Sequence, residues 1–287
     1  MTVSEWFTTY MSTYKPDLKP RTREEYNRLF ARFCRPLSPL HLRAVTPEDI
    51  ADTLAAARSS GARTARAVYV LLRGLFARAV RSRQLQWSPV DALDPPPYHA
   101  ATGQSIPPAD LERLRPYIEA EPGLALALYA GMRRGEIAAL RWSDIDLAAR
   151  LIHVSRSRER VCGIVIETTP KSAAGCRDIP IAAPLLLILR RAYHLDSSRV
   201  VSHAPEWLSK RFRAVQQLAG IRSRYHLHDL RHTYITTLVA EGVPPAIVQY
   251  CAGHSSLSTT MHIYTHLTGI SALRYLTLNQ GAQGSSP

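Results

Sequence analysis

At 287 residues with 46% hydrophobic content, the chain is long enough for two ordinary domains and too apolar to be disordered. A formal charge of +13 and a pI near 10 favour a polyanionic partner, most simply nucleic acid. A basic membrane-surface protein is the competing class, but no run approaches the roughly 18 apolar residues of a span and no signal-peptide pattern opens the chain, so a soluble cytoplasmic protein with no membrane partner is expected. The four cysteines, Cys34, Cys162, Cys176 and Cys251, show no paired spacing, which fits reduced thiols rather than a disulfide frame or a zinc ribbon.

The N-terminal part reads as helices near Val3–Tyr14 and Thr22–Arg35, a short one after Thr46, and a long one from about Ala62 to Arg83. Thr46 has the marks of an N-cap, with Pro47 at the first helical position and Glu48 and Asp49 in the first turn. On the long helix, at about 100° per residue, Val68, Leu71, Leu72, Leu75, Phe76 and Ala79 share one face. Arg63, Arg66, Arg73, Arg78 and Arg81 share the other, and no acid occurs between Arg58 and Arg83. An arginine face without acidic partners at helical spacing is poorly explained by solvation, and these five are the candidate DNA-binding residues.

Residues 94–107, with a proline cluster followed by small polar residues, read as a linker between a helical domain over 1–93 and a second domain over 108–279; 280–287 read as a disordered tail. The second domain predicts helices over Pro108–Ile118, Leu124–Ala130 and Gly135–Leu140, then strands over Leu151–Ser155, Ile164–Thr169 and Arg177–Ile181 that make a small meander. Helices follow over Pro184–Ala192, Trp207–Ala219, Leu227–Glu241, Pro245–Ala252 and Ser256–Tyr264. The fold class is mainly α with a small β-meander, that is α+β. Leu267–Leu278 reads as a short apolar helix with no evident partner in its own chain, expected to dock on a neighbouring protomer.

Three islands carry the chemistry. In His228-Asp-Leu-Arg231 an imidazole and a guanidinium project from one turn at a helix start and can converge on one phosphate. Gly131-Met-Arg133-Arg134-Gly-Glu136 ends one helix and begins another, placing an arginine at a helix N-terminus, where anions are favoured. Arg133 is the choice for the phosphate-facing residue and Arg134 for the surface one, although spacing does not separate them; Glu136 reads as a structural partner or cap. The third island runs from His254 to Tyr264 and His266. A phosphodiester under attack builds negative charge that fixed guanidinium forks neutralise, and a tyrosine supplies a nucleophile that stays attached. The histidines do not suggest a metal: positions i and i+2 diverge on a helix and neither cysteine nor carboxylate completes a tetrahedral set, so neither metal nor cofactor is expected.

The segments Ala130–Asp146, His228–Thr233 and Gly253–His266 resemble, in order, the signature boxes of the tyrosine recombinase (phage integrase) family. The resemblance covers most of residues 106–270, while the N-terminal part is similar only generally to the helical core-DNA-binding domain that precedes the family's catalytic domain. Ala130 stands where threonine is common and Ala252 where leucine often precedes Gly-His, both packing positions. The resemblance implies that Arg133 and Arg231 bind phosphate, that His228 and His254 are the two histidine positions and that Tyr264 is the nucleophile. It further implies a hairpin lysine, for which Lys171 is the candidate, protonating the leaving 5′ oxygen.

A two-step transesterification through a 3′-phosphotyrosine is thereby implied, needing no cofactor or ATP. The implied partners are double-stranded DNA core sites and a homo-tetramer assembled on them from a free monomer or weak oligomer. About 90 residues before the linker leave no room for the additional arm-site-binding domain of several integrases, which suggests a simple recombinase for phage or mobile-element integration and excision. A chromosome-dimer or transposon-resolving recombinase, a DNA-binding regulator without chemistry and a type IB topoisomerase are the other readings.

Overall fold

The computed structural model describes residues 1–98, 103–169, 175–193, 198–253 and 261. It divides into two compact units, Met1–Thr102 and Gly103–Pro287. The expected helices at Ser256–Tyr264 and Leu267–Leu278, and the 280–287 tail, lie outside the described residues, Met261 excepted.

The first unit is helical throughout. α1 (Val3–Thr9) starts where the Thr2 hydroxyl accepts from the Glu5 N–H at 3.2 Å and the Glu5 carboxylate accepts from the Thr2 N–H at 2.7 Å, and it runs on as a π-helical turn over Tyr10–Tyr14. α2 spans Pro20–Phe33, α3 Pro47–Arg58 and α4 Ala62–Arg81. Thr46 caps α3 as its sequence suggests, paired reciprocally with Asp49. The apolar face of α4 is wholly enclosed, against Trp6, Leu29, Phe30, Phe33 and Ile50. Phe7 stacks on Phe30 at 3.9 Å between ring centroids, and the Trp6 indole N–H donates to the Leu75 carbonyl at 3.0 Å, so the largest buried side chain leaves no orphan polar atom.

In the second unit α6 (Pro122–Tyr129) is buried all round from Gly123 to Leu128, and its uniformly apolar sequence is that of a core helix. α5 (Pro108–Glu119), α7 (Arg134–Ala139), α8 (Ala183–Ala192), α9 (Pro205–Leu218) and α10 (Leu227–Ala240) all pack on it, and α11 (Pro245–Ala252) packs on α10. The β region is small and open, but its strands are divided differently from one continuous meander. β1 (Ile145–Asp146), β2 (Leu151–Val154) and β5 (Arg177–Pro180) form an antiparallel sheet in the order β1-β2-β5, with Ile152 opposite Ile179. Between β2 and β5, β3 (Ser157–Val161) and β4 (Ile164–Thr168) form a separate hairpin turning at Cys162 and Gly163. The charged run Ser157-Arg-Glu-Arg-Val161 lies outside the three strands read from the sequence. It is extended because β4 pairs with it along its full length and Arg158 donates to the Ala138 carbonyl at 3.2 Å. No helix among the described residues is long and apolar enough to cross a membrane.

Phe76 is fully enclosed at the centre of the first unit's core. Phe76→Ala is expected to destabilise that unit by about 3–5 kcal/mol, read as a lower midpoint in guanidinium unfolding followed by circular dichroism; an unchanged midpoint would contradict the packing described.

Candidate active site

Arg133 is the N-cap residue of α7, in extended conformation, and Glu136 reaches back one turn so that its carboxylate accepts the Arg133 N–H at 2.9 Å and the Arg133 guanidinium at 2.8 Å. Glu136 is almost wholly buried, and its second face is taken by Arg177, whose side chain is fully enclosed. The Arg177 guanidinium donates to both carboxylate oxygens at 3.2 and 2.9 Å. Burial by itself would raise the Glu136 carboxyl; the hydrogen bonds and charge of Arg177, and then of Arg133, outweigh it and hold the group below its ordinary value.

Arg231 lies in the first turns of α10 with 1% of its surface exposed and donates to the carbonyls of Gly131 and Ala252. Burial first, then the charge of Arg133, lowers its guanidinium to about 9, which leaves it protonated at neutral pH. Gly131 is required where it stands: its φ is +58°, and a Cβ there would meet the Tyr234 ring at 2.3 Å.

Three guanidiniums thus converge on the end of α11. Arg177 donates to the Cys251 carbonyl at 2.8 Å, Arg231 to that of Ala252, and Arg133 to that of Gly253 at 2.6 Å. These are consecutive carbonyls at a helix C-terminus, where backbone dipoles leave partial negative charge, and Gly253 closes the helix in the left-handed conformation. Against three arginines, Glu136 is the single carboxylate in hydrogen bond with them among the described residues. The cluster therefore carries a surplus of positive charge suited to a phosphate. Arg133 is the partly open member, with 39% of its side chain exposed.

His228 lies three residues before Arg231 on α10, with its ring 4.8 Å from that of His232 and perpendicular to it. The residue as a whole is exposed. Partial burial of the ring, then the charges of His232, Arg231 and Arg133, push the imidazole down to about 4, so it is neutral and able to accept a proton at physiological pH.

The structure therefore brings Arg133, His228 and Arg231 together and turns Arg134 outward, toward Ser209 at 3.5 Å. Lys171, His254 and Tyr264 lie outside the described residues. Arg177 was missed by the motif reading. The available signal was an arginine on the inward face of a strand, in phase with Ile179. In the first unit, Arg63, Arg73 and Arg81 are exposed, but Arg66 and Arg78 are half-buried. Arg66 lies 5.7 Å from the Tyr69 ring and Arg78 3.9 Å from the Tyr14 ring, beside a cavity of about 380 Å³ lined by Tyr10, Lys15, Arg73 and Arg81. The five arginines are not one uniform face.

The model of the phage integrase family matches residues 114–269. Among curated proteins, the chain is 28% identical to a tyrosine recombinase XerC-like protein of Caldanaerobacter subterraneus over 50% of this chain and 44% of that protein. It is 29% identical to a putative prophage phiRv2 integrase of Mycobacterium tuberculosis over 87% of this chain and 70% of that protein. The chain thus spans less than half the length of the first relative and rather more of the second. Among solved structures, the Tn1549 transposon integrase in complex with transposon right end DNA is similar with a TM-score of 0.80 at 20% identity, over 98% of this chain and 100% of that one. A lambda integrase tetramer bound to a Holliday junction is similar with a TM-score of 0.69 at 17% identity, over 89% of this chain and 78% of that one. Both likenesses are of fold.

Two outcomes follow from the geometry. Because the folded-state pKa of His228 lies below the 6.5 of the ordinary group, the unfolded chain binds the proton first, and the stability held above about pH 6.5 falls as pH drops toward about 4. The melting temperature of His228→Gln is expected to fall less steeply than that of wild type over this window; parallel curves would refute a depressed histidine. Gly131→Ala is expected to lose about 1–3 kcal/mol of stability, measured by denaturant unfolding, since the new methyl overlaps Tyr234 and displaces the carbonyl held by Arg231.

Proposed function

The chain belongs to the phage integrase family, and on that premise we propose that it is a site-specific DNA recombinase that cuts and rejoins strands through a 3′-phosphotyrosine, serving phage or mobile-element integration and excision. The observation that carries this reading is the arginine cluster: Arg133 and Arg177 share the Glu136 carboxylate, and Arg231 joins them on the last carbonyls of α11, beside a neutral imidazole and at the end of the helix that leads into His254 and Tyr264.

The Tyr264 hydroxyl attacks the scissile phosphorus and its proton passes to His228. The phosphorus–O5′ bond breaks as the tyrosine–phosphorus bond forms, and the leaving oxygen takes a proton from Lys171. Arg133, Arg231 and His254 receive the charge on the non-bridging oxygens of the transition state. A 5′-hydroxyl from the partner duplex then attacks the phosphotyrosine, so the phosphodiester is restored and the tyrosine released. The negative phosphate that enters raises the depressed His228 pKa, which strengthens its hold on the proton it takes.

The units Met1–Thr102 and Gly103–Pro287 serve in this reading as core-DNA-binding and catalytic domains. The working assembly is a tetramer on two core sites, the arrangement named for the lambda integrase bound to a Holliday junction, acting on bacterial DNA in the cytoplasm. Arg63, Arg73 and Arg81 are the phosphate contacts of the first domain, being exposed, while the stacked Arg78 also holds Tyr14 in place.

Incubation with nicked duplexes tiled from DNA flanking its gene should give a covalent adduct on a denaturing gel, absent in Tyr264→Phe and reduced about 100- to 1,000-fold in rate in Arg133→Ala. Salt-sensitive binding without an adduct on any substrate would favour a non-catalytic DNA-binding regulator. Replacing both Arg73 and Arg81 with glutamine should flatten the plot of log affinity against log salt by about two phosphate contacts, measured by fluorescence anisotropy; an unaltered slope removes both from the interface.

A further inference from the structure

We propose that Arg177 is a positioning residue for strand cleavage, an inference that rests on the recombinase reading above. Its guanidinium cannot reach DNA, because the side chain is fully enclosed. Every contact it makes is with parts that set the site. One edge holds the Glu136 carboxylate through both oxygens, at 3.2 and 2.9 Å, while Nε donates to the Cys251 carbonyl at 2.8 Å and Nη1 to the Gly175 carbonyl at 3.1 Å. It therefore ties the start of β5, the first turn of α7 and the last turn of α11 to one planar group, whose fixed fork leaves little freedom for their relative placement.

Two consequences follow for groups that do face phosphate. Glu136 is shared between Arg177 and Arg133; without Arg177, the whole carboxylate is available to Arg133 and draws that guanidinium toward α7 and away from the Gly253 carbonyl. The Cys251 carbonyl also loses its donor, and the last turn of α11 loses an anchor three residues before His254. Arg133 and the segment entering the third motif are thus placed by a residue that touches neither substrate nor nucleophile.

A neutral replacement of Arg177 alone strands the Glu136 charge, so loss of folding would be uninformative. Because Glu136 also bonds Arg133 directly, the decisive comparison is Arg177→Met/Glu136→Gln against Glu136→Gln alone, alongside Arg177→Lys, which keeps the charge but not the fork. Three quantities are read on the full-length protein: melting temperature, adduct formation on a nicked core duplex, and amide hydrogen exchange of the peptide spanning α11. The double variant should melt close to wild type and bind the duplex within about twofold. It should cleave about 100-fold more slowly than Glu136→Gln, as a displaced reacting group does, and exchange about tenfold faster than it at the end of α11. Arg177→Lys should recover only part of the cleavage rate. If the double variant cleaves as fast as Glu136→Gln, or if exchange at α11 matches that of Glu136→Gln, the residue is merely structural and the proposal is overturned. Faster exchange in the double variant, with no adduct from wild type on any duplex, would uphold the anchoring geometry while overturning the recombinase reading.

Discussion

The second unit depends on how three buried or half-buried guanidiniums are kept supplied with acceptors when only one carboxylate is in hydrogen bond with them. Glu136 serves Arg133 and Arg177 at once, and backbone carbonyls take further donors, Gly131 for Arg231, Gly175 for Arg177, and Cys251, Ala252 and Gly253 for Arg177, Arg231 and Arg133 in turn. Charge, more than apolar packing, orients the end of α11. Among the described residues, the buried apolar cluster beneath that helix holds Ile235, Val239, Val248 and Ala252, with Tyr234, Leu238 and Val243 packed against it, apart from the main core. A helix C-terminus is well matched to this duty, since its last carbonyls lack intrahelical partners and carry the negative end of the dipole.

The arrangement that solves a folding problem also prepares a chemical one. Carbonyls neutralise guanidiniums only in part, so the cluster remains electropositive, and Arg133 is left partly open at its edge. Partial burial first, and then the neighbouring positive charges, keep His228 unprotonated. In the proposed mechanism the electrostatic surplus receives the phosphate and adds to the burial that maintains a base beside it.

In the first unit the division of labour along α4 follows helical geometry closely. Residues at one angular position form the core, and most of those opposite are arginines with no acid in the same helix. The departures come from neighbours that the helix's own periodicity does not contain. Tyr14, delivered by the π-helical turn after α1, provides a ring on which Arg78 lies, and so turns a surface cation into a packed one. The β3–β4 hairpin shows the same limit: Ser157–Val161 is charged and lacks the strand pattern, yet its partner β4 makes it a strand.

Local pattern in the sequence sufficed wherever a residue's role depends on residues within a few positions of it. The helix limits, the Thr46 cap, the buried face of α4 and the alignment of His228 with Arg231 are all of this kind, because helical periodicity and capping are short-range. The three-island motif likewise announced which side chains to look for, though Lys171, His254 and Tyr264 fall outside the described residues. Tertiary structure alone decided the choice between Arg133 and Arg134 for the arginine that joins the cluster, the split of the strands into sheet and hairpin, and the place of Arg177. Arg177 lies 41 residues from Glu136 and 74 from Cys251 along the chain. A buried charge is tolerated only where distant acceptors arrive together, and no local periodicity encodes that meeting.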